Sequence, residues 1–167
     1  MKKILLAITL VLAIAQSASA QKFAHFNSAQ VIQAMPEYTA AQTEIQNLQK
    51  QYEDELKKMQ DEIKTKSEAY EKEAEKLPDA VKQRREQELN DLYQRYQQYA
   101  QTSDQELQKA SQTKMQDISE KIGKAVKEVG VAGGYVYIMD VTSGIPYISE
   151  TLSTDVTDQI KAKMGIK

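Results

Sequence analysis

The stretch from residue 39 to residue 129 is the part of the sequence that most limits how this chain can fold. It contains one proline, Pro78, and one glycine, Gly123, within a long run of polar and charged residues. A proline lacks a backbone donor and pushes the residue before it out of helical conformation, and Asp79 directly after it suits the start of a new helix. The sequence therefore predicts two long helices that form an antiparallel hairpin, with its tip at residues 77–79.

Apolar residues recur in steps of three and four along both arms of this hairpin. Such spacing is typical of a narrow coiled-coil seam rather than the broad apolar face of a globular helix. Folding the chain back at Pro78 places Ile63 near Tyr93. The expected seam residues are Ile45, Leu48, Tyr52, Leu56, Met59, Ile63, Tyr70, Ala74 and Leu77 on the first arm, and Leu89, Leu92, Tyr96, Tyr99, Leu107, Ala110, Ile118, Ile122, Val126 and Val129 on the second.

The two ends of the chain have a different pattern, with short β-branched and aromatic runs separated by turn residues. We expect a strand at 22–27, a short helix at 28–35 capped by Asn27 and ended by Pro36, strands at 135–139 and 145–149, and a last helix over 153–164 with Asp155 as its cap. Thr39 offers the start of the first long helix, and the glycines at 130–134 end the second. The sequence thus divides into a small α+β body, residues 21–38 and 130–167, and a hairpin at 39–129.

The body is too small to be stable alone, because two or three short strands do not hold together unaided and a module of this size buries little area. We therefore expect it to assemble with copies of itself into a shared sheet or barrel. The composition does not fix the number of copies. The residues predicted to mediate oligomerisation are Phe23, Phe26, Val136, Ile138 and Tyr147.

Residues 1–20 are typical of a secretory signal peptide. Lys2 and Lys3 precede an apolar run at residues 4–15, and Ala18-Ser19-Ala20 is a small-x-small cleavage site. The apolar run is too short for a membrane span, so we expect no stable span after cleavage. Without the two leader lysines the chain has 20 basic and 24 acidic side chains, a formal net charge of −4. This balance argues against a nucleic-acid partner, which requires a basic surface.

The sequence offers no candidate for catalysis. It has a single histidine, His25, and no cysteine, so a zinc site of the usual ligands is not expected. The glycines at 130–134 lack the spacing of a phosphate-binding loop, and no nucleophile-elbow spacing is present. We expect a protein that is not an enzyme and that uses no cofactor or metal.

The most specific motifs lie at the two ends of the exported chain. They are Phe26-Asn27-Ser28-Ala29-Gln30-Val31, Met35-Pro36-Glu37-Tyr38, Tyr137-Ile138-Met139-Asp140 followed by Ser143-Gly144-Ile145-Pro146-Tyr147, and Asp155-Val156-Thr157. Together with the signal peptide and the hairpin, they resemble the Skp/OmpH family of periplasmic chaperones over the whole mature chain. The best-known members are basic whereas this chain is mildly acidic, so neither capture of acidic clients nor a lipopolysaccharide site is carried over.

The resemblance implies a homotrimer whose strands form a small barrel-like body and whose hairpins surround a cavity. It also implies that the protein holds unfolded outer-membrane β-barrel proteins there, without ATP, in the periplasm of a diderm bacterium. The competing function is a structural coiled-coil spacer or adaptor of the cell envelope. Tyrosine offers apolar area with a polar handle, so the predicted client-binding residues, which also suit seam packing, are Tyr70, Leu77, Tyr93, Tyr96 and Tyr99.

Overall fold

The structure is a computed structural model that describes residues 21–166; the predicted signal peptide at 1–20 lies outside the described residues. The chain forms two compact units, one from residues 21–35 and 120–166 and the other from Pro36–Ser119. The elements are β1 (Lys22–Phe26), α1 (Ser28–Ala34), α2 (Pro36–Glu73), α3 (Asp79–Gly133), β2 (Tyr135–Asp140), β3 (Ser153–Asp155) and α4 (Thr157–Lys163), with 3₁₀ turns at Ala74–Lys76 and Val141–Ser143.

The unit at Pro36–Ser119 is built from the two long helices. At its start the structure differs from the expectation of a helix beginning at Thr39, because α2 begins at Pro36 itself. Met35 is extended, with ψ 121°, so Pro36 both ends α1 and starts α2. Proline suits a first helical position because its missing N–H would have no partner there.

The two long helices are separated by a break at Leu77 and Pro78. Leu77 has an extended backbone, with ψ 142°, as a residue before proline prefers. The carbonyl of Pro78 then accepts the backbone N–H groups of Val81 at 2.9 Å and Lys82 at 3.0 Å. These bonds form the first turn of α3, so the second long helix begins directly after the proline.

Side-chain contacts join the two arms along their length. Tyr70 Oη donates to Glu86 Oε1 at 2.5 Å. Tyr70 lies seven residues after Ile63, and Glu86 lies seven residues before Tyr93. In an antiparallel pair these two pairings belong to the same register, so the bond agrees with the prediction that Ile63 lies near Tyr93. Further contacts link the ammonium of Lys66 with Glu88 and the rings of Tyr52 and Tyr99. The buried apolar residues of this unit are only Ile63, Leu92 and Ile118 within the described chain, as expected of a narrow seam.

The other unit contains a parallel three-stranded sheet in the order β2-β1-β3. Phe23 pairs with Tyr137 and Ala24 with Ile138, while the register shifts between Lys22 and Phe23. Residues that pair across two adjacent strands lie on the same face of the sheet, and successive residues of one strand alternate between faces. Phe23 and Tyr137 therefore lie on one face, and Ala24 and Ile138 lie on the other.

One face of this sheet is covered by the helices of the same unit, and Ala24 and Phe26 are buried on that face. The Gln30 N–H donates to Asn27 Oδ1 at 3.0 Å, so Asn27 caps α1 as expected. The largest fully buried side chains of this unit are Val31 of α1, Met35 directly after α1, Val156 directly before α4, and Ile160 of α4, each with less than 2% of its surface exposed.

The end of α3 requires glycine at two successive positions. Gly134 has φ +65°, a left-handed conformation that costs a residue with a side chain about 1–2 kcal/mol. A Cβ at Gly133 would lie 2.2 Å from the ring of Tyr135. Both positions therefore favour glycine where the chain passes from α3 into β2.

The prediction of a strand at 145–149 is wrong, because the third strand is β3 at Ser153–Asp155. Pro146 lacks a backbone donor and hinders ladder pairing in that run. β3 instead pairs with β1 in parallel, opposite Phe23, Ala24 and His25. As a result α4 begins at Thr157 rather than Ser153, and Asp155 Oδ1 accepts the Thr157 N–H at 2.8 Å.

Candidate functional site

The uncovered face of the sheet carries a group of apolar side chains, which we call the aromatic sheet face: the half-buried Phe23 and the exposed Tyr137, Met139, Tyr147 and Leu152. The rings of Phe23 and Tyr137 stack with centroids 4.9 Å apart and planes 30° apart. Tyr147 and Leu152 expose 78% and 76% of their surface. A shallow groove of about 170 Å³ runs among these residues. Exposed apolar patches of this kind mark interaction surfaces.

The five residues predicted for oligomerisation are distributed over both sides of the sheet. Phe23 and Tyr147 belong to the aromatic sheet face, and Val136 is exposed on β2. Phe26 is buried on the opposite side, where Ile138 Cδ1 lies 3.5 Å from the position of a Cβ at Gly130. The role of all five in assembly stays a prediction, and three of them are placed where another copy can reach them.

Tyr137, Met139 and Leu152 were missed by the sequence reasoning. The first two share the period-2 alternation of β2, so their face follows once β2 is known to pair with β1 in parallel register. Leu152 has no such signal, because it precedes β3 in a loop.

His25 sits on β1 among these residues. Its Nδ1 lies 2.8 Å from Ser153 Oγ, while the neighbouring Asp155 carboxylate accepts both the N–H and the hydroxyl of Thr157. Burial opposes ionisation of Asp155, but the two Thr157 bonds and the nearby His25 outweigh it, and the pKa is lowered. Asp155 Oδ1 already accepts two bonds from Thr157, whereas the His25 ring pairs with Ser153. This arrangement is typical of a structural histidine that a neighbouring strand holds in place.

The predicted client-binding residues lie, with different exposures, along the unit at Pro36–Ser119, which we call the hairpin unit. Tyr93 is the most accessible, with 48% of its surface exposed. Tyr96 and Leu77 are half-buried. Tyr70 and Tyr99 contribute to contacts between the arms: Tyr70 bonds to Glu86, and the ring of Tyr99 meets that of Tyr52 edge-on at 6.0 Å and 76°.

Charged and hydroxyl groups supply much of the polar contact between the arms. The Tyr52 hydroxyl donates to Glu106, and this bond raises the pKa of Tyr52. The bond from Tyr70 to Glu86 raises the pKa of Tyr70 in the same way. The ammonium of Lys66 contacts Glu88, which lowers the pKa of that carboxyl. These groups are exposed, so each bond stabilises the hairpin only modestly.

Two grooves lie within the hairpin unit. The larger, of about 290 Å³, is lined by Tyr38, Ala41, Gln42, Ile45, Gln46, Ser111, Lys114 and Met115. The smaller, of about 80 Å³, lies near the tip and includes Tyr70 and Leu77 among its lining residues.

Neither a metal site nor a membrane span is visible in the described part of the chain. Residues 21–166 contain no group of three or more His, Cys, Asp or Glu side chains placed to hold a metal ion. Among the helices of that range, none is both long enough and apolar enough to cross a bilayer.

Comparison with known proteins gives the family. The family model of the outer membrane protein (OmpH-like) group matches residues 22–164. The chain belongs to this OmpH-like family. Its fold is similar to the crystal structure of a candidate outer membrane chaperone (OmpH-like) from Caulobacter crescentus CB15, with a TM-score of 0.74 and 13% identity, over 86% of this chain and 83% of that chain. No curated protein matches the chain.

Membership of the OmpH-like family agrees with the resemblance found in the sequence motifs at the two chain ends. The structural likeness at 13% identity establishes the shared fold. Long helices with a small sheet built from both chain ends are therefore the architecture of this family member.

Proposed function

We propose that this OmpH-like protein is an ATP-independent holdase of the periplasm, which binds unfolded outer-membrane β-barrel proteins and keeps them from aggregating. Family membership supports a chaperone role, as does the likeness in fold to a protein described as a candidate outer membrane chaperone. Binding the unfolded state of a client lowers the concentration of free unfolded chains. The client then leaves without fuel when its own folding into the membrane competes for it.

The observation that carries the proposal is the small number of apolar residues buried in the unit at Pro36–Ser119. Among residues 36–119, only Ile63, Leu92 and Ile118 are buried apolar residues, while Tyr93 and Met115 remain exposed. A surface with scattered tyrosine and methionine side chains makes shallow contacts with many sequences. Several shallow contacts at once give useful avidity without a tight site.

Assembly is part of the proposal. We infer that three copies join through their sheets, so that the aromatic sheet face is covered and the three hairpins enclose a cavity for the client. The exposure of Tyr147 and Leu152 in the single chain supports such a contact. We also propose that the protein acts by binding alone, without catalysis and without a cofactor.

An aggregation assay tests the holdase function directly. An unfolded outer-membrane β-barrel protein is diluted from urea in the presence of the exported chain, and light scattering is followed. We expect suppression near one trimer per client. Unchanged scattering at that ratio would favour the structural spacer or adaptor of the cell envelope.

Two matched tyrosine variants separate assembly from client holding. Tyr147→Ser should reduce the trimer fraction measured by gel filtration with light scattering, because it removes an exposed ring from the aromatic sheet face. Tyr93→Ser should leave the oligomer unchanged and weaken suppression of aggregation. The division of roles is wrong if both variants affect both measurements equally.

A further inference from the structure

The larger groove of the hairpin unit, which we call the Tyr38–Met115 groove, has the size and lining of a site for one apolar side chain. Its volume is about 290 Å³, and Tyr38, Ala41, Ile45 and Met115 provide its apolar walls. Met115 keeps 40% of its surface exposed there. Methionine adapts to partners of irregular shape, so the groove is suited to side chains of different form.

The hairpin unit carries a net negative charge. Residues 36–119 contain 18 acidic and 13 basic side chains, a formal net charge of −5. The remaining residues from 21 onward contain six acidic and seven basic side chains, a formal net charge of +1. The acidic surplus of the exported chain thus lies in the hairpin unit. Most of it belongs to α2, which contains ten acidic and six basic residues.

The cation that lines the Tyr38–Met115 groove is already paired. Lys114 Nζ lies 2.7 Å from Glu44 Oε2, so its charge is compensated within the protein. Elsewhere on the hairpin, the carboxylates of Glu86 and Glu106 accept hydrogen bonds from tyrosine hydroxyls. A tyrosine hydroxyl satisfies a carboxylate oxygen without cancelling its charge; at Tyr70, the hydrogen bond to Glu86 raises the pKa of the hydroxyl first, with burial and the charge of Glu86 adding to it.

We propose that the Tyr38–Met115 groove binds an apolar side chain of an unfolded client segment whose neighbouring residues are lysine or arginine. The groove provides the apolar contact, and the negative hairpin around it attracts the cations by charge complementarity. This inference rests on the proposed holdase function and specifies which client segments the hairpin prefers.

Peptide binding to the full exported chain tests the preference. Three fluorescently labelled peptides of identical length share one pattern of apolar residues. The positions between the apolar residues are lysine and arginine in the basic peptide, glutamate and aspartate in the acidic peptide, and serine and threonine in the neutral peptide. We expect the basic peptide to bind at least about fivefold more tightly than the acidic one at low salt. At about 1 M salt, where the Debye length is about 3 Å, this difference should nearly vanish.

Two sets of variants connect the preference with the groove and with the charge. Met115→Gln, with Gln105→Ala on an exposed part of α3 as its control, should weaken all three peptides at any salt concentration. The double variant Asp54→Asn, Asp61→Asn should reduce the preference for the basic peptide. Its control is Glu150→Gln in the other unit, which should leave the preference unchanged. Circular dichroism checks that every variant keeps its helix content.

The outcomes distinguish this inference from the function on which it rests. If the acidic peptide binds as tightly as the basic one while aggregation of β-barrel clients is still suppressed, the charge preference is overturned and the holdase function stands. If Met115→Gln binds all peptides normally, the groove is not the site and the proposal is overturned. If no peptide binds and no client is protected, the proposed function fails and this inference fails with it.

Discussion

Ile160 on α4 provides a quantitative test of how the sheet-containing unit is held together. Its side chain is fully buried, with 0% exposure, as are Val31 of α1 and Val156. Ile160→Ala removes three carbon atoms, which costs about 2.4 kcal/mol at about 0.8 kcal/mol per buried methylene. The cavity left behind adds to this, and substitutions of this kind cost about 2–5 kcal/mol. The better helix propensity of alanine returns only about 0.4 kcal/mol.

We expect the free energy of unfolding of this unit to fall by about 3 kcal/mol, and hydrogen exchange measured by mass spectrometry can localise the effect. A loss of about 3 kcal/mol corresponds to roughly 100-fold faster exchange of amides that open with the unit. The accelerated amides should lie in β1, the central strand, and in α4. Peptides from the middle of α2, which belongs to the other unit, should exchange at the original rate.

Val131→Ala is the matched control, because Val131 is also an aliphatic helix residue of the same unit but is 77% exposed. An exposed substitution of this type changes stability by only about 0.5 kcal/mol. The reasoning is refuted if the two variants accelerate exchange in β1 equally, or if Ile160→Ala leaves β1 unchanged. Either result would mean that α4 does not stabilise the sheet.

Four further substitutions test other contacts of the fold. Glu88→Gln removes the partner of Lys66; since the folded pKa of Glu88 is lowered, its stabilising contribution is present above the ordinary carboxyl pKa and is lost as pH falls through the folded value. The thermal midpoint of the wild type should therefore drop more than that of Glu88→Gln on acidification, as followed by circular dichroism. Asp140→Ala should cost about 1–3 kcal/mol in urea unfolding, because Asp140 accepts backbone bonds from Ser28 at 3.2 Å and Thr142 at 3.0 Å. Gly134→Ala should destabilise by about 1–2 kcal/mol at its positive φ, whereas an alanine at Gly123, a helical site with open space around its Cα, should stabilise by about 0.5–1 kcal/mol. Equal effects at the two glycines would contradict the role of the left-handed turn.

The hairpin could be read from the sequence because its causes are local. A single proline separates two long stretches without helix breakers, and the apolar spacing selects one seam on each arm. The register follows from folding at Pro78, and the Tyr70–Glu86 bond agrees with it. The sequence predicts the start of α2 at Thr39, three residues after its actual start at Pro36, because a proline that ends one helix also suits the first position of the next.

The third strand could not be read from the sequence. Ser153-Thr154-Asp155 is polar and lacks the β-branched or aromatic pattern of a strand, whereas residues 145–149 have more of that pattern and form none. What makes β3 a strand is its pairing with β1, more than 120 residues earlier in the chain. Such a distant backbone contact leaves no trace in local composition.

The sequence by itself determined the helical arms, the break between them, the family and the character of the two ends, because proline positions, apolar spacing and short motifs act over a few residues. Only the tertiary structure decided which side chains of the small sheet face inward. Parallel pairing of β1 with β2 placed Phe26 and Ile138 on the covered side and left Phe23 and Tyr137 on the open one. The choice depends on register between distant strands, and a shift of one residue would exchange the two faces.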